Sequence, residues 1–378
     1  MRISILGAGL VGGAMARDLA DEKNCNVTVA DVNPESLKKL EDDARLRLVR
    51  ADLSKTSEIK RLAAKSDFLI GALPGFMGFR TLKILIEAGK NVVDISFFPE
   101  NPFELNGLAK RRNATAIVDA GVAPGMSNML TAHAASLLDE TQTCLCYVGG
   151  LPKVRTWPYE YKIVFSAMDV IEEYTRPARY IENGRPVVKP ALSEPELLDF
   201  PGVGTLEAFN TDGLRTLATT LRAPNMKEKT MRYPGHIEKM RVLRDTGFFE
   251  KKPIEVRGVK VRPIDLTAKL MFPLWKLGEN EEDFTVMRVI VEGLRSKKRV
   301  RYTYDLLDNY DTATRTTSMA RTTGYTCTVA VRMLARGLFK RKGICPLEYV
   351  GRSGQAYQFM MRGLKDRNIH VQETVETV

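Results

Sequence analysis

The chain has 378 residues, of which 44% are hydrophobic and 27% are charged, a balance typical of a soluble globular protein with about two domains. The 57 Lys and Arg residues outnumber the 46 Asp and Glu residues, so the formal net charge is +11. The basic residues are dispersed, and no apolar run approaches the roughly 20 residues of a membrane span. We therefore expect neither nucleic-acid binding nor membrane insertion.

Met1 and Arg2 lead directly into the first predicted strand, so we expect no signal peptide and a cytoplasmic location. The five cysteines do not have the spacing of a zinc site. Cys144 and Cys146 fall on one face of a strand-like run, which favours buried thiols over a redox pair. The three histidines are scattered, and no metal site is predicted.

Residues 2–31 have the order strand, glycine turn, helix, strand and acid that is typical of a dinucleotide-binding βαβ unit. In this interpretation Gly7 permits the tight turn, Gly9 lets a pyrophosphate approach the backbone, and Gly12 lets the helix pack on the strand. Asp31 can accept hydrogen bonds from the adenosine ribose. Its carboxylate would repel a 2′-phosphate, so the sequence predicts NAD rather than NADP. The predicted contacts in the turn are Gly7, Gly9, Leu10, Val11 and Gly12.

Strands and helices continue to alternate up to residue 118, which predicts an α/β domain with a doubly wound (Rossmann) parallel sheet. Ligands of such sheets bind beyond the carboxyl ends of the strands. The further strands are expected at 46–50, 68–72, 91–96 and 114–118, and the helices at 34–43, 57–64, 81–88 and 103–112. The residues predicted to contact the cofactor at these strand ends are Asp52, Leu53, Leu73, Pro74, Ser96, Gly121 and Val122.

The pattern then changes to strands separated by longer polar loops, which predicts a second, α+β domain with an open, mostly antiparallel sheet and a cleft between the domains. Its strands are expected at 143–148, 159–165, 180–181, 187–188, 255–261, 286–292, 299–304 and 315–319. Its helices are expected at 168–175, 236–246, 263–276 and 326–335. We predict an NAD-binding domain at 1–124, a substrate-binding and dimerisation domain at 125–339, and a tail at 340–378 that completes the first domain.

Several segments of the chain resemble the saccharopine dehydrogenase superfamily, and together they are most similar to its L-lysine 6-dehydrogenase branch. They are 71–76, 93–97, 147–152, 173–179, 211–215, 232–236, 319–324 and above all Asp119-Ala120-Gly121-Val122-Ala123-Pro124-Gly125-Met126-Ser127-Asn128. The resemblance implies a homodimer that uses NAD to deaminate the ε-amine of L-lysine oxidatively. The product, 2-aminoadipate 6-semialdehyde, cyclises to piperideine-6-carboxylate, and ammonia is released. Alternatives are a saccharopine-type or carboxynorspermidine-type reaction, and a non-catalytic NAD-binding regulator.

Removal of a hydride from the ε-carbon requires a neutral amine, whose free pKa is about 10.4, so the site needs a base or must desolvate the ammonium. Asp94 and Asp119 follow sheet strands and are candidates, although an Asp in that position also caps helices. His236 opens a predicted helix, where the dipole favours the neutral imidazole that a base requires. A purely local hydrogen bond would explain His236 equally well.

The substrate's α-carboxylate needs a cation, most simply a bidentate Arg. We predict Arg215 for this role and Asp212 for the α-ammonium, against the alternative of a surface turn with a salt bridge. Arg179 is a second candidate, although Arg residues on loops are often only solvated. Tyr161 lies in a predicted strand and reaches either the substrate or the core.

Overall fold

The structure, a computed structural model, describes residues 1–278 and 281–378 and divides into two compact units. Unit 1 comprises Met1–Leu137 and Thr312–His370, and unit 2 comprises Leu138–Asp311 and Val371–Val378. These limits differ from the predicted ones. Helices at 126–136 and 318–335, expected in the substrate domain, pack within unit 1, whereas the strand at 371–377, expected to complete the first domain, pairs within unit 2.

The strands of the described residues are, in chain order, β1 Arg2–Leu6, β2 Asn26–Asp31, β3 Leu46–Arg50, β4 Phe68–Gly71, β5 Asn91–Asp94, β6 Thr115–Ile117, β7 Glu140–Pro152, β8 Ala178–Glu182, β9 Arg185–Lys189, β10 Glu196–Phe200, β11 Gly204–Asn210, β12 Asn225–Arg232, β13 Ile254–Val256, β14 Val259–Val261, β15 Asp283–Arg295, β16 Lys298–Asn309, β17 Gly343–Ile344 and β18 Val371–Thr377.

The helices are α1 Leu10–Ala20, α2 Pro34–Lys38, α3 Thr56–Ala64, α4 Gly75–Glu87, α5 Asn106–Arg111, α6 Met126–Ser136, α7 Ala167–Thr175, α8 Leu217–Thr220, α9 His236–Thr246, α10 Pro263–Trp275, α11 Ser318–Ala335, α12 Leu347–Gly351 and α13 Gly354–Lys365. A 3-10 helix at Pro102–Leu105 precedes α5. Among the described residues, no helix is long and apolar enough to cross a membrane.

Unit 1 is built on a parallel sheet with the strand order β17-β6-β5-β4-β1-β2-β3, which confirms the predicted doubly wound sheet. The central strands are runs of consecutive buried residues, as strands covered by helices on both faces require. The carboxyl ends of β1, β2, β4, β5 and β6 therefore meet at one edge of the sheet. The sequence did not predict β17, which is only two residues long.

Unit 2 is built on a sheet with the main path β10-β11-β12-β7-β15-β16-β18, to which the β8–β9 hairpin is attached through β12. Only β7 and β12 run parallel among its described pairs, which confirms the predicted mostly antiparallel sheet. The hairpin β13–β14 forms a separate small sheet.

Two predicted strands of the second domain are wrong, and a third, 255–261, is the hairpin β13–β14 instead of one strand. Segment 159–165 belongs to no strand, and Ile163 forms only an isolated bridge with Lys276. Its alternating apolar residues, Tyr161 and Ile163 among them, pack into a cluster with helices α7, α9 and α10. Segment 315–319 runs into α11, which begins at Ser318 after Thr317 caps it by accepting a hydrogen bond from the Ala320 N–H, at 3.3 Å.

Candidate functional site

The glycine turn of unit 1 joins β1 to α1 and leaves open space at a single one of its three motif glycines. Gly7 has φ = 116°, and a Cβ there would lie 2.3 Å from the Ala72 carbonyl oxygen. A Cβ on Gly12 would lie 2.1 Å from the Gly7 carbonyl oxygen, whereas a Cβ on Gly9 would meet no atom within 4 Å. Packing therefore requires glycine at two positions, and the third faces open space at the start of a helix, where backbone N–H groups favour an anion.

Asp31 lies beside this turn at the carboxyl end of β2. Its Oδ2 accepts a hydrogen bond from the Ala8 N–H at 2.7 Å, and its Oδ1 accepts one from the Asn33 N–H at 2.8 Å. The acid is thus fixed against the turn itself, as the βαβ interpretation requires. The open glycine, the helix N-terminus and the fixed carboxylate together fit a dinucleotide, which Gly7 to Gly12 and Asp31 would hold.

The predicted cofactor residues that follow β3 and β4 differ in their surroundings. Asp52 accepts hydrogen bonds from the Ser54 N–H at 3.0 Å and hydroxyl at 2.6 Å, which lower its pKa, so it closes the turn before α3. The Leu53 side chain is buried in the hydrophobic core of unit 1, and its contact with the cofactor stays a prediction. Leu73 and Pro74 are half-buried in the turn between β4 and α4.

Asp94 and Asp119 lie at the carboxyl edge of the sheet, as predicted. Asp94 is fully buried, and its two oxygens accept hydrogen bonds from the Ser96 N–H at 2.8 Å and hydroxyl at 3.5 Å. Ser96 thus contacts Asp94. Asp119 is 3% exposed and has φ = 52°, a left-handed backbone that is uncommon for a residue other than glycine. The Ala120 N–H donates to the Asp94 carbonyl at 3.0 Å, so the two acids are on adjacent segments.

The loop after β6 is tightly folded and carries Gly121 and Val122, both buried. The Met126 N–H donates to the Gly121 carbonyl at 2.8 Å. Gly125 has φ = 140°, and a Cβ there would lie 2.1 Å from the same Gly121 oxygen. Asn128 accepts a hydrogen bond from the Gly125 N–H at 3.1 Å and closes the loop onto α6. These contacts give the loop one defined conformation.

In unit 2 the structure joins two predicted substrate residues to each other. Arg179 and Asp212 form a bidentate ion pair, with Nε–Oδ1 at 2.8 Å and Nη2–Oδ2 at 2.7 Å. Asp212 is buried, whereas the Arg179 side chain is 55% exposed. The predicted cation and carboxylate therefore lie together, but they are bonded to each other, since both Asp212 oxygens accept hydrogen bonds from the Arg179 guanidinium.

Arg215 follows Asp212 in a compact turn and has φ = 50°. Gly213 is required in this turn, because a Cβ there would lie 1.6 Å from a carboxylate oxygen of Glu228. Arg176 is a neighbour, and it flanks Pro177 together with Arg179, as a weaker candidate from the sequence. Burial lowers its pKa; the charge of Arg215 lowers it further, while Glu172 and Asp212 raise it. We call Arg176, Arg179 and Arg215 with Asp212 the arginine cluster.

His236 opens α9 as predicted, but it is fully buried and both ring nitrogens have partners. Nδ1 lies 2.8 Å from the Tyr159 carbonyl, which can only accept, so Nδ1 carries the proton and Nε2 accepts from the Tyr174 hydroxyl at 2.9 Å. Burial, followed by the positive charge of Arg232, lowers the pKa of His236 to about 3. The neutral form agrees with the prediction, whereas the role of base loses its support because the lone pair faces Tyr174.

Tyr161 lies in the same buried group, with its ring 5.2 Å from that of His236 and under the Arg232 guanidinium at 4.6 Å. Arg232 donates to Glu173 at 2.6 Å and to the Tyr174 hydroxyl at 3.2 Å. The sequence missed this buried ion pair, because its partners come from a helix and a strand 59 residues apart. Tyr161 and His236 are therefore best explained as parts of a packed polar core.

Two family models match the chain. Residues 3–117 match the saccharopine dehydrogenase NADP binding domain, and residues 121–369 match the saccharopine dehydrogenase C-terminal domain. Among curated relatives, the saccharopine dehydrogenase [NADP(+), L-glutamate-forming] of Schizosaccharomyces pombe is 22% identical over 90% of this chain and 92% of its own length. The enzyme of that name from Pyricularia oryzae is 27% identical over 66% of this chain and 59% of its own length.

The mouse mitochondrial alpha-aminoadipic semialdehyde synthase is 26% identical over 62% of this chain, but the match spans only 27% of that longer protein. Among solved structures, the apo saccharopine dehydrogenase (L-Glu forming) of Saccharomyces cerevisiae superimposes over the full length of both chains with a TM-score of 0.81 at 18% identity. This likeness establishes the fold of the chain.

Proposed function

We propose that this chain, which belongs to the saccharopine dehydrogenase family, is an NAD-dependent dehydrogenase that removes the ε-amine of L-lysine oxidatively. The ε-carbon gives up a hydride and the nitrogen a proton, and water then converts the resulting imine to 2-aminoadipate 6-semialdehyde and ammonia. The bound dinucleotide supplies the hydride acceptor. The family's domains support an oxidoreductase of lysine metabolism; the choice of lysine follows the sequence segments that resemble the lysine 6-dehydrogenase branch.

The observation that carries this proposal is the arginine cluster. An α-amino acid presents a carboxylate and an ammonium side by side, and the cluster presents guanidinium groups beside the carboxylates of Asp212 and Glu172. Arg215 is the proposed anchor of the α-carboxylate, since Arg179 is already bidentate to Asp212. Asp212 then positions Arg179, and its negative charge attracts the α-ammonium. We keep Arg215 and Asp212 as substrate-binding residues, with Arg179 now paired to Asp212.

We propose Asp119 as the base that takes the proton of the ε-ammonium and later activates water. Asp94 is fully buried, with Ser96 bonded to its oxygens, and suits a positioning role for the loop that begins at Asp119. The left-handed backbone of Asp119 supports this choice, because residues in sparsely populated backbone regions are concentrated at functional sites. His236 is no longer proposed as a base.

NAD is the proposed cofactor, with the carboxylate of Asp31 as its support. Hydrogen bonds from the Ala8 N–H in the glycine turn and the Asn33 N–H in the β2–α2 turn fix the position of the Asp31 carboxylate. A 2′-phosphate at this place would meet that charge. The matching relatives whose names specify a cofactor are NADP enzymes, so the preference requires direct measurement.

A saccharopine-type reaction is the second candidate, and one observation favours it. The cluster brings three guanidinium groups together, of which Arg179 is paired with Asp212 and Arg176 with Glu172, at 3.6 Å. Guanidinium groups bind carboxylates, so a substrate with more carboxylates than lysine would find additional donors there. The L-glutamate-forming relatives point in the same direction.

The purified chain with L-lysine and either NAD or NADP, without an oxo-acid, tests the proposal. NADH and ammonia formed in equal amounts support it. Saccharopine oxidised with release of L-glutamate, and no reaction with lysine alone, would transfer the assignment to the second candidate. Dinucleotide binding without turnover of either compound would favour a non-catalytic regulator.

A homodimer is also proposed, with two exposed apolar surfaces of unit 2 as its support. The hairpin β13–β14 places Ile254, Val256 and Val259 on one side, each about half exposed or more. A two-stranded sheet is only marginally stable alone, and an exposed apolar side favours a partner. Helix α10 exposes Leu266, Leu270 and Leu274, a repeating row that a second copy can match about a two-fold axis. Light scattering checks the dimer mass. The cytoplasmic location stays a prediction.

A further inference from the structure

Helix α11 packs against the glycine-turn helix at a glycine of its own. A Cβ on Gly324 would lie 3.0 Å from Cγ of Met15, 3.4 Å from Cγ1 of Val11 and 3.5 Å from the Val11 carbonyl oxygen. Val11 is in the first turn of α1, two residues after the open Gly9. Gly324 therefore sets how closely the two helices approach at the end of α1 that faces the proposed pyrophosphate site.

Thr323, the residue of α11 before Gly324, contacts the loop after β6. A Cβ on Gly121 would lie 3.3 Å from Cγ2 of Thr323, so Thr323 covers Gly121 closely. The Thr323 hydroxyl donates to the Met319 sulfur at 3.5 Å, which fixes its rotamer within the helix. Two adjacent residues of one helix thus contact two elements proposed to hold the dinucleotide, which are α1 at the pyrophosphate site and the loop that carries Gly121.

The other half of α11 is fastened to the end of α1 by buried charges. Arg332 contacts Asp18 at 2.7 Å and Glu22 at 2.7 Å, and Arg367 also contacts Asp18 at 2.7 Å. The side chains of Arg332 and Asp18 are 6% and 9% exposed. Since buried, hydrogen-bonded ion pairs are costly to break, α11 cannot slide along α1. A change at residue 324 is therefore transmitted to α1 as a local displacement.

We propose that Thr323 and Gly324 are positioning residues of the cofactor site, which set the spacing between the glycine turn and the Gly121 loop. This inference rests on the proposed dehydrogenase function and deepens it, since it assigns a role to a segment that no step of the reaction uses. A misplacement of about 1 Å lowers a rate by up to about 10²-fold when two reacting groups are held by different elements. A helix that contacts both elements controls that distance.

Gly324→Ala tests the proposal, with Gly363→Ala as the matched control. Gly363 contacts α11 from α13, where a Cβ would lie 2.6 Å from Cγ1 of Val329. Both variants add one methyl group at a helix contact of α11, but only the first is directed at α1. The measurements are NADH affinity by fluorescence titration, kcat with L-lysine, the kinetic isotope effect with lysine deuterated at the ε-carbon, and the thermal unfolding temperature.

We expect Gly324→Ala to weaken NADH binding and to lower kcat, each roughly three- to tenfold, with a larger isotope effect because hydride transfer becomes slower than product release. Gly363→Ala should lower the unfolding temperature and leave NADH affinity unchanged. Adding Met15→Ala to Gly324→Ala should restore NADH affinity, because the Cγ of Met15 that the new methyl group contacts is then absent. Thr323→Ser, which lacks the methyl group against Gly121, should lower kcat more than NADH affinity.

If both glycine variants shift stability and affinity in parallel, or if Gly324→Ala and Thr323→Ser bind and turn over like the unmodified chain, the positioning role is refuted. Absence of binding of both NADH and NADPH to the unmodified chain has a different meaning, because it would refute the proposed function itself. Should Gly324→Ala not fold, Thr323→Ser and the double variant with Met15→Ala decide the question.

Discussion

Protonation of His236 should destabilise unit 2 as the pH falls below about 6.5. The folded state holds His236 neutral, with Nδ1–H bonded to the Tyr159 carbonyl and Nε2 accepting from Tyr174, and burial lowers its pKa to about 3. In the unfolded chain the imidazole returns to a pKa of about 6.5. Because the folded pKa is the lower one, the unfolded state binds the proton first, and stability is lost as the pH falls.

The magnitude follows from the two pKa values. At pH 7.5 both states are neutral and nothing is lost. At pH 5 the solution lies about 1.5 units below the unfolded pKa and still above the folded one, so His236 alone costs about 2 kcal/mol at 1.36 kcal/mol per unit. Near pH 3 the folded state also binds the proton, and the loss levels off at about 5 kcal/mol.

Urea unfolding followed by tryptophan fluorescence measures this loss. The chain has two tryptophans, Trp157 with 78% exposure and the fully buried Trp275, whose ring lies 6.3 Å from that of His236. A Trp157→Phe background therefore reports on the core around His236. Its unfolding free energy should fall between pH 7.5 and pH 5 by about 2 kcal/mol more than that of the same protein with His236→Asn.

The exposed His370 provides the control, since His370→Asn should keep the full pH dependence. The Asn variant at 236 will be less stable at every pH because a buried hydrogen bond is lost, so only the difference between the two pH values is compared. Equal pH dependence with and without His236 would refute the reasoning, and would mean that the imidazole titrates normally in the folded protein.

Three further outcomes test the proposed site. Asp31→Ala should weaken NAD binding and reduce discrimination against NADP, measured as the ratio of kcat/KM for the two cofactors; an unchanged ratio would remove Asp31 from cofactor selection. Arg215→Ala should raise the KM for lysine much more than that for NAD, and equal changes would make Arg215 structural. Asp119→Asn should lower kcat by about 10²-fold or more with NADH affinity unchanged, as loss of a general base requires; the exposed Asp366→Asn should behave like the unmodified chain, and near-normal activity of Asp119→Asn would return the role to Asp94.

The cofactor half of the fold was predictable because its signals are local. The glycine turn, the apolar strands and Asp31 occur in a fixed order along 31 consecutive residues, and every predicted strand up to β6 is present. Helix boundaries were less accurate. Predicted helix 34–43 is only Pro34–Lys38, and predicted helix 81–88 begins six residues earlier, at Gly75. Pro74 is the N-cap residue immediately before that helix, where its missing N–H breaks no helical hydrogen bond.

The start of α11 was missed for a physical reason. Residues 318–324 contain Thr322, Thr323 and Gly324, which have weak helix propensity, so the sequence favoured a strand followed by a helix from 326. In the structure this segment is helical because α1 and the C-terminal helix α13 pack against it. Tertiary contacts with residues some 300 positions away decide its conformation, and no local pattern carries that information.

The charged residues of unit 2 also depend on contacts between residues that are distant in the sequence. The sequence supports Asp212 and Arg179 as a carboxylate and a cation suited to an amino acid, and both lie together in the structure. Their bidentate pairing, however, joins residues 33 positions apart, so no local pattern in the sequence indicates it. Arg176 is likewise paired with Glu172 at 3.6 Å. The role proposed for Arg215 therefore depends on the Arg215→Ala variant, and the number of substrate carboxylates is the property that distinguishes lysine from a saccharopine-type substrate.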